Sequence, residues 1–96
     1  MTNSLQAGAA CVDITPETSQ FLYGYPHVKR YSTGIHDPLF SSALCLSDGH
    51  TRVLFIANDI IFITKDMAER TRSRISASTG IPPANILVSA THTHSG

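Results

Sequence analysis

Residues 52–90 contain an apolar stretch, a capped amphipathic stretch and a second apolar stretch, and that order permits few folds. RVLFIAN (52–58) is apolar at both alternating sets of positions, the pattern of a central strand covered on both faces. Thr64 can cap a helix, and Asp66 places a carboxylate in the first turn, where the helix dipole favours it. Met67, Thr71, Ile75 and Ser78 fall on one helical stripe, with Arg70, Arg72 and Arg74 mostly facing water. Gly80 suits the position after the last turn, and Pro82-Pro83 prevents continuation. ILVSA (86–90) is a second short strand. Strand, helix and strand form a βαβ unit, and such crossovers are right-handed with parallel strands. Upstream, LFSSALCLS (39–47) precedes DGHT and RVLFIAN, a strand–turn–strand hairpin with Asp48-Gly49 at its tip. AGAACVDI (7–14), closed by Thr15-Pro16, is a first short strand. The expected fold class is α/β, a β-hairpin plus a right-handed βαβ unit in one mixed sheet. Residues 17–38 show no period and carry Gly24, Pro26, Gly34, Pro38, Phe21, Tyr23, Tyr25 and Tyr31, which predicts a long, ordered, functional loop.

Parallel strands end on the same sheet edge, where open α/β sheets bind ligands. Here one strand ends at Asn58-Asp59 and the other at Thr91-His92-Thr93-His94, so a carboxylate and two imidazoles share that edge. His92 and His94, two apart, point to one side in extended backbone. Two neutral imidazoles there suit a cation such as zinc; otherwise they are exposed or hydrogen-bonded histidines beyond a strand. Asp59 has three roles open to it: metal ligand, orienting partner for a ligating histidine, or cap of the turn before the helix. Asn58 reads as a turn residue. His36 is either a third nitrogen ligand, a substrate contact or a loop histidine bonded to backbone. Tyr23-Gly24-Tyr25 either lines a pocket or packs a loop, and Ser95-Gly96 opens a turn whose hydroxyl or N–H could stabilise an oxyanion. His27 and His50 read as surface residues. No GxSxG occurs, so serine hydrolysis is unsupported.

Composition removes several function classes. The 96 residues carry no net formal charge, so no basic field exists to hold nucleic acid or an anionic membrane. The longest apolar run, Val53 to Ile63, is interrupted by Asn58-Asp59 and falls short of a membrane span. MTNSLQAGAA has no basic start and apolar core, so no secretory signal is visible, and cytoplasmic location or export with a signal lying elsewhere both remain open. Cys11 and Cys45 form no CxxC pair and read as two buried small thiols, with a disulfide between them the lesser alternative.

Several features in fixed order resemble one family: Ala7-Gly8, Asp13-Ile14-Thr15, Gly24-Tyr25, Gly34-Ile35-His36, the apolar strand ending in Asp59, and Ser89 to Gly96, SATHTHSG. Together they are similar to the opening of the neutral/alkaline non-lysosomal ceramidases. The resemblance spans nearly the whole chain, and THTHSG is its most specific part. After Gly34-Ile35-His36 this chain has Asp37-Pro38-Leu39, where the family often has a basic residue. The resemblance implies a zinc-dependent amidase cleaving the N-acyl bond of a lipid amide such as ceramide. It implies that His92 is a zinc ligand, that His94 lies in the same site as neighbour or transition-state contact, and that Asp59 holds a histidine in its ligating tautomer. It also implies substrate contacts from Gly24, Tyr25, His36 and Ser95. The family's remaining ligands, a histidine, a glutamate and a tyrosine, come from far later in a longer chain, and its THTHSG continues into a Pro-Gly-Gly turn. Residues 1–96 are therefore expected to be a single domain or the N-terminal portion of a larger α/β hydrolase domain. On this expectation the 96 residues alone bind zinc weakly, turn over nothing, and self-associate or pack against other chains. Two alternatives remain: a barrel-type metal-dependent amidohydrolase, which also places His-x-His after an apolar strand, and a non-catalytic interaction module.

Overall fold

Apolar and β-branched runs bounded by Pro, Gly, Asp and Asn produce strands within one residue of their expected limits. In the computed structural model, which describes residues 5–18, 31, 34 and 37–93, β1 spans Gln6–Asp13, β2 Phe40–Ser47, β3 Arg52–Asn58 and β4 Ile86–Ala90. The sheet order is β1-β2-β3-β4. β1 and β3 each run antiparallel to β2, whereas β4 is parallel to β3, so the sheet is mixed as expected. The hairpin turn is fixed by Asp48, whose Oδ1 accepts the N–H groups of His50 (2.9 Å) and Thr51 (2.7 Å). Those two bonds hold its carboxyl below the ordinary value of 3.8. Gly49 sits at φ 94°, a left-handed conformation natural to glycine.

One α-helix is formed among the described residues, α1 (Lys65–Thr79), and it makes the crossover between β3 and β4. Thr64 Oγ1 accepts from Met67 N–H at 3.1 Å, and Gly80, at φ 76°, donates its N–H to Ser76 O. Both caps are the ones expected. The buried stripe differs from the expected one. Ala68 is buried, and Thr71, Arg72, Ile75 and Ser76 are half-buried, while Met67 and Ser78 are exposed. The helix is rotated so that its small residue, Ala68, meets the sheet. Arg72 therefore turns inward, and its Nε donates to Ile86 O at 2.9 Å, answering a carbonyl at the start of β4. A 3-10 turn, Pro83–Asn85, leads into β4. At the last residue of the helix Arg52 Nη2 donates to Thr79 O at 2.6 Å.

Among the described residues only Ala68, in the first turn of α1, and Ile81 and Ile86, after its last turn, are buried. Two expectations are corrected by this thin core. β3 is central but not covered on both faces. Leu44, Phe55 and Leu87 stand in register across β2, β3 and β4, with 42%, 39% and 52% of their surfaces exposed. The cysteines are not buried thiols either: Cys11 is exposed, Cys45 half-exposed, and both are free. Cys45 pairs with Gly8, three residues from Cys11, and this odd spacing puts the two thiols on opposite faces of the sheet. No described helix is long and apolar enough to cross a membrane.

Candidate functional site

The parallel pairing of β3 and β4 brings Asn58 opposite Ala90, so the residues following each strand emerge side by side. Asn58 O accepts from Thr91 N–H (2.9 Å), which carries the ladder one step beyond β4. Its side chain ties three strands together. Oδ1 accepts from Ser41 Oγ at 2.7 Å, and Nδ2 donates to Ser89 O at 3.1 Å. Asn58 thus closes β3, its amide offering donor and acceptor at once, and it also opens the turn that follows, since its carbonyl accepts Ile60 N–H at 2.8 Å.

His92 follows directly, and it is the non-glycine residue with positive φ (65°) among the described residues. A left-handed histidine is uncommon and persists where surrounding bonds impose it. The bonds are explicit: His92 N–H donates to Ile60 O at 3.0 Å, and ring Nδ1 lies 2.6 Å from Ile61 O. A carbonyl only accepts, so Nδ1 is the protonated nitrogen in this bond, and the tautomer able to ligate a metal is then the one with its lone pair on Nε2. A ligating histidine is commonly oriented through its other nitrogen by such a carbonyl. His92 is exposed on the sheet edge. Its donor chemistry, a tautomer fixed with Nε2 as the basic nitrogen, thus fits a borderline divalent cation. Among the described residues, no three His, Cys, Asp or Glu side chains gather into a metal-binding group.

Asp59 is half-buried, and its carboxylate and backbone bond across to the first residue of β2 and not into the turn before the helix. Its Oδ2 accepts Phe40 N–H at 2.9 Å, and its N–H donates to Phe40 O at 2.9 Å. The partner of His92 Nδ1 is the Ile61 carbonyl, two residues further on. At the same edge Asp13 Oδ1 accepts Thr15 N–H at 2.8 Å, and hydrogen bonds from Thr15 hold that carboxyl below 3.8. Thr15 Oγ1 in turn accepts Leu39 N–H at 2.7 Å. The Asp13-Ile14-Thr15 stretch is thereby joined to the same sheet edge as Asp59 and His92. His94, Ser95, His36, Gly24 and Tyr25, together with most of the 17–38 stretch, lie outside the described residues. His50 is exposed on the hairpin turn, as expected. The groups that sequence reasoning missed are the carbonyls of Ile60 and Ile61 and the hydroxyl of Thr15. A groove of about 780 Å³, bordered by Val53, Arg72, Pro83, Asn85 and Ile86, opens at the opposite end of β4 and takes no part in this edge.

Comparison with known proteins gives a consistent result. The model of the N-terminal region of the neutral/alkaline non-lysosomal ceramidases matches residues 5–96. The chain is similar in structure to neutral ceramidase from Pseudomonas aeruginosa, with a TM-score of 0.78 and 24% identity, over 100% of this chain and 16% of that one. It is similar also to a structure described as ceramidase complexed with C2, with a TM-score of 0.75 and 23% identity, over 98% of this chain and 15% of that one. The fold is shared with those structures, and this chain spans a small part of their length.

Proposed function

The chain belongs to the neutral/alkaline non-lysosomal ceramidase family, and from that premise we propose that it supplies the first corner of a zinc-dependent amidase site acting on a lipid amide such as ceramide. The observation that carries this reading is His92, left-handed at the carboxyl end of a parallel strand, with Nδ1 directed to Ile61 O. His92 would hold zinc through Nε2, with the remaining ligands contributed from outside the described residues. Bound zinc supplies Lewis acidity, which activates water near neutral pH and polarises an amide carbonyl.

This chain's own residues then have the following parts. The Ile61 carbonyl keeps the His92 ring in one tautomer and at one angle, so no reorganisation is needed during reaction. His94 donates to the oxygen on which negative charge develops as the carbonyl is attacked. Asp59 maintains the edge from which His92 projects. Gly24, Tyr25, His36 and Ser95 contact the substrate, with the tyrosine ring offering an apolar face and a hydroxyl. The products are a fatty acid and an amine, sphingosine when the substrate is ceramide.

The test is hydrolysis of an N-acyl amide by the intact protein. Activity should be abolished by a chelator and recovered on adding zinc. Undiminished turnover by metal-free protein would rule the reading out.

A further inference from the structure

Segment 59–61 is gripped from both sides. On one side, Asp59 N–H donates to Phe40 O and Asp59 Oδ2 accepts Phe40 N–H, each at 2.9 Å. On the other, Ile60 O accepts His92 N–H at 3.0 Å and Ile61 O meets His92 Nδ1 at 2.6 Å. In an antiparallel rung of this kind the two residues exchange backbone N–H and C=O groups. Ser41 pairs with Asn58, so Phe40 and Asp59 would form the next rung. Here the Asp59 carboxylate takes the place of its own carbonyl. That substitution completes the rung while releasing the backbone to leave β3, and the released carbonyls of Ile60 and Ile61 reach His92. Phe40 is anchored in turn through its neighbour: Leu39 N–H donates to Thr15 Oγ1 (2.7 Å), and Leu39 O accepts Ile14 N–H (2.8 Å).

We propose that Asp59 is a positioning residue for His92, acting only as a hydrogen-bond acceptor for Phe40 N–H and making no contact with metal. Thr15 extends the same clamp to the first strand. The inference rests on the reading of His92 as a zinc ligand and adds how its geometry is set. Its distinguishing consequence is that the shape of the Asp59 side chain matters and its charge does not. Asparagine retains an acceptor oxygen at the same reach, whereas alanine leaves the part-buried Phe40 N–H unpaired.

The experiment is a zinc titration of the intact protein against a competing chelator, with the unfolding midpoint of each metal-free variant as the control for folding. Asp59→Ala should weaken zinc binding by about 10- to 100-fold, the range expected for groups that orient a ligand, and Asp59→Asn should restore it to near the wild-type value. Thr15→Val, which removes the acceptor at nearly constant volume, should give a smaller loss that Thr15→Ser reverses. The Thr15 pair decides the matter if Asp59→Ala does not fold. An equal loss in Asp59→Asn and Asp59→Ala would overturn the proposal by showing that charge is required, as for a direct ligand. So would wild-type affinity in folded Asp59→Ala. A His92→Asn control separates the two levels: with its affinity lost, a failure at Asp59 counts against positioning alone. Wild-type affinity in His92→Asn would remove the zinc-ligand reading and the positioning role together.

Discussion

A histidine at φ 65° carries information that its side chain alone does not. Left-handed backbone is tolerated by asparagine and histidine much better than by β-branched residues, whose Cβ substituents crowd the adjacent carbonyl. Metal-free His92→Val should therefore be less stable than metal-free His92→Asn by about 1–3 kcal/mol, measured by denaturant unfolding of the intact protein. Equal stabilities would show that the left-handed conformation is not imposed by the fold. At this scale the sequence was only partly legible. His92 and Asp59 could be placed on one edge because side-chain types and strand ends are visible in the letters. The Ile60 and Ile61 carbonyls could not, because every residue carries a carbonyl and nothing in an isoleucine marks where its oxygen points. Thr15 belongs to the Asp13-Ile14-Thr15 motif, but its hydroxyl acts across 24 residues on Leu39 N–H, a distance no local pattern encodes.

At the scale of elements, the strands and helix were readable because their end signals are local chemistry. Thr64, Gly80, Asp48 and Gly49 each satisfy or release specific backbone groups within a few residues, and each does so in the structure. The helix orientation was not readable. A period of 3.6 residues locates a stripe to within one neighbouring row, and here the rows of Met67 and Ala68 compete. Ala68 wins contact with the sheet, and Arg72 comes inward with its guanidinium bonded to Ile86 O. Adjacent Asp66 and Arg70 form an i,i+4 ion pair at 3.0 Å with side chains 75% and 71% exposed, so it adds at most a few tenths of a kcal/mol. Helix position is set by packing and caps, with surface charge a minor contributor.

At the scale of the molecule, the decisive fact is how little the described residues bury. The in-register row of Leu44, Phe55 and Leu87 leaves an apolar band across the sheet face, and β1 is exposed along its length. Water is excluded from such a band favourably at roughly 25 cal/mol per Å², so it favours association. The 96-residue chain should accordingly sediment faster as its concentration rises, and Leu44→Lys should suppress that rise without altering the hairpin turn. Concentration-independent sedimentation of the unaltered chain would count against self-association. At the carboxyl edge of the sheet stands His92, the proposed zinc ligand. The most direct measurement of that role is the zinc content of the intact protein after dialysis against zinc-free buffer, wild type beside His92→Asn. One zinc per wild-type molecule is expected, with loss of that zinc in folded His92→Asn; equal zinc in both proteins would contradict a ligand role for His92.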